Sequence, residues 1–216
     1  MFSQLPPVIR ALLIANVGIY LLQMLLGESA LLDFALWPFG ELTGTAPDGS
    51  TITVGFEIWQ LLTYGFLHSG PTHLLMNMLA LFMLGGPIER VLGGRHFLIY
   101  YLVCVVGAAL AQLLTIEYFT GGFYPTVGAS GGVFGVLFAF ALFFPREKLI
   151  LFPIPIPIPA WLFVTLYGAA ELIFGVTGTV AGVAHFAHLG GMLAGFVLLQ
   201  YWRGRLPFKP RNPLQL

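Results

Sequence analysis

Apolar residues fall into six runs along the chain, roughly Val8–Leu26, Thr72–Leu92, Phe97–Ile116, Gly128–Phe144, Ala160–Val176 and Val180–Trp202. Charged residues collect between these runs or near their ends. None of the runs shows the strict alternation of a barrel strand. In lipid only helices and closed barrels satisfy every backbone N–H and C=O. The pattern therefore predicts an all-α membrane protein, one domain over residues 1–216 with six transmembrane helices and no internal repeat.

Composition strengthens this reading. Of 216 residues, 58% are hydrophobic and only 8% charged, and the mean hydropathy is +0.90. A water-soluble domain carries about 25% charged residues. Formal net charge is zero, so the total does not point to any partner, but the distribution orients the chain. With both termini on the inner side, the inner positions hold Arg10, Arg90, Arg95, Arg146, Lys148, Arg203, Arg205, Lys209 and Arg211, which is every Lys and Arg present. Outer positions hold Glu28, Asp33, Glu41, Asp48, Glu57 and Glu117, with Glu171 near that rim. An even number of helices satisfies the positive-inside rule and an odd number breaks it. Residues 203–216 then form a short cytoplasmic tail. Val8–Leu26 is long enough to span and reads as a retained helix, with cleavage near Ser29-Ala30 as the alternative. Cys104, the lone cysteine, lies in an apolar run and reads as a small buried residue. No Cys/His cluster has zinc-ligand spacing.

Two connections are unusual. Residues 27–71 are too apolar for a floating loop and too broken by Gly and Pro for a spanning helix; they are expected to lie partly in the outer interface, with Trp59 at headgroup depth. The inner run Pro153-Ile154-Pro155-Ile156-Pro157-Ile158-Pro159 predicts an extended, polyproline-like spacer. The fourth apolar run is short. From Ser130 to Phe144 a helix covers ~22 Å of a hydrocarbon core of ~30 Å. Arg146, Glu147 and Lys148 hold its inner end at the surface, so Ser130 should sit below the outer surface, beside a wet cavity.

Ser130 lies in Gly128-Ala129-Ser130-Gly131-Gly132. Small neighbours let a substrate backbone approach, and a helix start leaves free N–H groups. Taken alone, the motif reads first as helix packing through Gly128 and Gly132 or Gly131 and Gly135. His188 lies in the sixth run, followed by Gly191 and Gly195 on the same face. An ionisable residue in a spanning helix is a functional hypothesis by default. Close packing of the two glycine faces would bring Ser130 and His188 within hydrogen-bond reach, as a nucleophile and its base require. His185, three residues earlier, is a rival base or a helper. His73 and Asn77 share a face at the outer start of the second run; they can supply oxyanion donors or a polar helix contact. His68 reads as a rim residue ending the loop, with a role in catalysis as the alternative, and Glu89 with Arg90 and Arg95 as an ion pair or cap. Glu57, Glu117 and Glu171 read as loop or rim residues, so the expected mechanism is a dyad with no carboxylate.

With these residues in place the sequence resembles the rhomboid family of intramembrane serine proteases. The matching residues are Trp59-Gln60-Leu61-Leu62-Thr63, His68, His73 with Asn77, Glu89, Gly128-Ala129-Ser130-Gly131, and Ala187-His188 with Gly191 and Gly195. The resemblance implies that Ser130 is the nucleophile and His188 the general base, with His73, Asn77 and the Ser130 N–H forming the oxyanion hole. It implies membrane-protein substrates cut in or near a helix at small residues, without metal or cofactor; nothing points to nucleic acid. The family often has Arg at the position of Gln60, which puts the anchoring of that loop in question. Some members have Tyr at the position of Phe134, whose ring can stack on His188 but offers no hydroxyl. The expected location is a bacterial cell (inner) membrane with both termini cytoplasmic. Two other classes stay open: a catalytically silent rhomboid-like protein that binds membrane clients, and a small transporter, against which stands the crowding of polar residues in the outer half.

Overall fold

The computed structural model describes residues 5–27, 32–45, 49, 51–151, 154–180, 182–208, 210 and 214. Glu28, Ser29, Ala30, Asp48, Pro153, Lys209 and Arg211, which entered the sequence reading, lie outside the described residues. Among the described residues seven α-helices carry the fold: α1 (Pro7–Leu26), α2 (Gln60–Thr63), α3 (Pro71–Leu92), α4 (Gly94–Thr115), α5 (Ser130–Phe143), α6 (Ala160–Thr177) and α7 (His185–Trp202). The described residues also form two antiparallel strand pairs, β1 (Glu41–Thr45) with β2 (Thr51–Gly55), and β3 (Lys148–Leu151) with β4 (Ile154–Pro159). Apart from the four-residue α2, the helices match the six apolar runs.

Among the described residues four helices are long and apolar enough to cross a membrane: α1, α3, α6, and α4 with its π-helical extension through Thr120. Helix α5 is apolar but short. Helix α7 begins at His185, five residues after the start of its apolar run, so both of its histidines fall in the first turn. Pro7 and Pro71 open α1 and α3, where a missing N–H costs nothing. Gly93, at φ +78°, closes α3 and opens α4 in one residue, a conformation strained for any side chain. Large apolar side chains such as Leu25, Phe119 and Val176 stay exposed along the helices. A surface so apolar belongs in lipid, and the molecule is an α-helical integral membrane protein.

The core is built around α4. It packs along α7 and α5, with α3 against α5 and α1 against α3. Small residues set the approach. A Cβ on Gly107 would strike Ala194, and one on Gly190 would strike Ala111, so α4 and α7 meet nearly backbone to backbone. Gly191 lies against the backbone of Gly131, which draws α7 onto α5. Gly195 behaves differently and faces Tyr100 of α4. Tyr100 and Tyr64 are fully buried, and each spends its hydroxyl on a carbonyl, Gly135 O at 2.7 Å and Val105 O at 2.8 Å.

The described parts of both unusual connections are structured. Ile154–Pro159 of the proline run pairs as strand β4 against β3, with Leu149 opposite Ile158 and Ile150 opposite Pro157. Proline cannot donate to a ladder, so such a strand survives only at an edge, and a two-stranded sheet is all edge. The outer segment carries the β1–β2 hairpin, α2 and a 3₁₀ turn at Tyr64–Phe66. Leu36, Trp37 and Leu67 of this segment are buried. Gln60 anchors it. Its Oε1 accepts from Trp37 N–H at 3.1 Å, and its Nε2 donates to Asp33 O at 3.1 Å and Gly55 O at 3.0 Å. A buried neutral amide with three partners thus holds the loop without a charge, which answers the question raised by the absent arginine.

Candidate active site

The chain entering α5 is tied to the outer segment. Leu36 and Thr126 exchange both backbone hydrogen bonds, and Gly128 N–H donates to Tyr64 O at 3.0 Å. Gly128 has φ +136°, and a Cβ there would meet the His73 ring, so glycine is required on both counts. Ser130 is the first residue of α5, and its backbone N–H has no intrahelical acceptor.

Ser130 Oγ lies 2.9 Å from His188 Nε2. The His188 ring stacks flat on Phe134, with centroids 4.1 Å apart and planes within 6°. This stacking fixes the ring plane using an aromatic that lacks a hydroxyl. His73 turns Nδ1 to Ser69, whose backbone N–H reaches it at 3.5 Å and whose Oγ lies 3.0 Å away. Accepting from that N–H leaves the hydrogen of a neutral His73 on Nε2, which faces the Gly128 turn beside Ser130. Asn77 is buried, and its Nδ2 donates to His73 O at 3.1 Å, within its own helix. Its second amide hydrogen remains for the cavity that it lines. That cavity, of about 960 Å³, is lined by His73, Asn77, Ser130, Phe134, Tyr167 and His188 among others. Its remaining walls include Met76 and Met83 from α3 and Phe163 from α6.

One expectation is overturned. The sequence reading placed Glu171 at the rim and left His188 without a carboxylate. Glu171 is 4% exposed, and its Oε2 lies 3.0 Å from His188 Nδ1 and 2.7 Å from His185 Nδ1. The cause is the short turn between α6 and α7. The helices run antiparallel, Glu171 sits six residues before the end of α6, and His188 lies in the first turn of α7. Their depths therefore match. A carboxylate within an apolar helix is the signal that should have drawn attention to it.

Glu89 is also buried, far from this site. Its two oxygens accept from Val8 N–H at 3.0 Å and Ile9 N–H at 2.8 Å, capping the start of α1. Among the described residues no group of three or more His, Cys, Asp or Glu side chains is arranged to hold a metal ion.

A family model, Rhomboid domain, matches residues 55–204. The chain is 33% identical over 152 residues to the Rhomboid protease GluP of Bacillus subtilis, covering 70% of this chain and 27% of that protein. It is 34% identical over 141 residues to the mitochondrial Rhomboid protein 1 of Saccharomyces cerevisiae, covering 60% of this chain and 38% of that protein. It is 25% identical over 205 residues to the Rhomboid protease GlpG of Yersinia pseudotuberculosis, covering 94% of this chain and 65% of that protein. The matched regions thus span between about a quarter and two thirds of these curated relatives.

Proposed function

The chain belongs to the rhomboid family, and from that premise and the geometry around Ser130 we propose that it is an intramembrane serine endopeptidase. The observation that carries the proposal is the 2.9 Å contact between Ser130 Oγ and His188 Nε2. Ser130 Oγ attacks the scissile carbonyl while His188 Nε2 takes its proton. The oxyanion forms where the Ser130 N–H, His73 Nε2–H and the Asn77 amide can converge. The peptide C–N bond then breaks, His188 returns the proton to the leaving amine, and water hydrolyses the acyl-enzyme. Substrates are transmembrane proteins cut in or near their membrane helix, entering a cavity walled in part by α3 and α6. Gly128 and Gly131 keep the approach to Ser130 clear, and Gly191 and Gly195 seat the histidine helix.

The layout expected from the sequence belongs to the same proposal: one six-helix domain, an outer segment over 27–71, a tail over 203–216, and both termini cytoplasmic in a bacterial inner membrane. The test uses full-length protein in liposomes with a model transmembrane substrate. A fluorophosphonate labels the wild type, and Ser130→Ala abolishes labelling and lowers cleavage ~1000-fold or more. Cleavage at wild-type rate by Ser130→Ala overturns the proposal. Client binding without cleavage by the wild type favours the silent alternative.

A further inference from the structure

A serine–histidine pair leaves one thing undetermined. His188 acts as a base only if Nε2 carries the lone pair, so its hydrogen must sit on Nδ1. Stacking on Phe134 fixes the ring plane but does not choose between the two nitrogens. Glu171 does choose. Its Oε2 stands 3.0 Å from His188 Nδ1 in a buried position, and a carboxylate there can only accept.

We propose that Glu171 is a positioning residue that turns the Ser130–His188 pair into a serine–histidine–glutamate relay, with His185 holding the carboxylate from its other side. The proposal rests on the protease reading above and deepens it.

Three observations support this arrangement. His185 Nδ1 lies 2.7 Å from the same Glu171 Oε2, and His185 Nε2 lies 3.2 Å from Val180 O. Both nitrogens of His185 therefore face acceptors, which holds the ring between Glu171 and Val180. Such a ring pins the carboxylate oxygen on the line to His188. Second, proton transfer from Ser130 makes His188 a buried cation, which is costly in a low-dielectric site unless an opposite charge lies beside it. Glu171 provides that charge at contact distance. Third, the other titratable groups nearby are otherwise engaged. Tyr167, one turn before Glu171 on α6, packs its ring on Phe134, and His73 of α3 is bonded to Ser69. No other carboxylate contacts either histidine among the described residues.

The relay spans two helices, since Glu171 rides on α6 and both histidines on α7. Helix α6 has only 17% of its span buried, the least of the four long apolar helices. The histidine is thus held in its working tautomer by a residue on the least enclosed of these helices.

The experiment compares wild type, Glu171→Gln, Glu171→Asp and Ser130→Ala as full chains in liposomes. It measures kcat and KM for a model transmembrane substrate, melting temperature, and the ¹⁵N histidine spectrum. Glu171→Gln keeps the shape but loses the charge and can stabilise the wrong tautomer. It is expected to lower kcat ~100-fold with KM nearly unchanged. Glu171→Asp restores part of that loss. In the wild type the His188 spectrum shows a protonated Nδ1 and an unprotonated Nε2, and Glu171→Gln moves it toward the other tautomer. Wild-type kcat in a well-folded Glu171→Gln overturns the relay, as does an unprotonated Nδ1 in the wild type. The latter measurement decides even if the variants fail to fold. Activity in Ser130→Ala defeats the protease reading itself, whereas a dead Ser130→Ala beside a fully active Glu171→Gln defeats only the relay.

Discussion

His68 lies next to the site and plays no part in the relay. It is 2% exposed, and neither ring nitrogen has a protein partner. Its ring sits 5.1 Å from that of His73, and its backbone is clasped by Gln23, which donates to His68 O at 3.1 Å and accepts from its N–H at 3.0 Å. Burial, with His73 alongside, pushes His68 down from 6.5 to about 4. The unfolded chain then binds a proton that the folded one refuses between those two values, so stability falls as pH drops from 6.5 toward 4. The melting temperature is expected to decline across that window, and His68→Gln to flatten the decline; an unchanged slope in the variant excludes His68 as its source. At this scale the sequence exposed residues whose chemistry is unusual for their surroundings. Ser130 in a glycine run, and His73 and His188 in apolar runs, are conspicuous wherever they point. Glu171 was equally out of place, yet its partners became visible only once α7 had packed on α6. Gln60 was harder still, because its three acceptors and donors come from residues 5 to 27 positions away.

Among the elements, α1 depends on a cap that its own sequence does not contain. No side chain of its own caps its N-terminus; the Glu89 carboxylate does so from the C-terminal end of α3, 80 residues away. A carboxylate at that end also interacts favourably with the helix dipole. Glu89→Ala would leave two N–H groups unpaired, one of them fully buried, and is expected to cost ~3 kcal/mol. Chemical denaturation in detergent measures it, and a loss below ~1 kcal/mol would mean that other groups take over the cap. Glu89→Gln, which keeps one acceptor, should fall between. Helix extents followed closely from the apolar runs because lipid imposes both length and hydropathy. The exceptions have local causes. Helix α7 starts late because Val180 and Gly182–Ala184 lie outside both helices, between α6 and α7, and the proline run forms a strand because β3 lies antiparallel beside it.

For the molecule as a whole, the proposed orientation rests on where charge can be placed. Moving a Lys or Arg through the membrane centre costs about 3 kcal/mol, and with the termini inside no Lys or Arg is called on to cross. The same orientation puts Ser130 at the outer end of α5 and the β3–β4 hairpin on the inner side. Inverting the chain would leave the fold intact but export all nine Lys and Arg residues. Single-cysteine labelling separates the two cases. Cys104 is fully buried, so a Cys104→Ala background serves, carrying either Tyr118→Cys or Glu147→Cys at exposed positions on opposite sides. A membrane-impermeant maleimide applied to intact cells is expected to label the former at once and the latter only after permeabilisation. The reverse pattern would place the mouth of the catalytic cavity in the cytoplasm, so that substrates would have to present their inner ends. Equal labelling of both would mean that charge does not fix a single orientation for this chain.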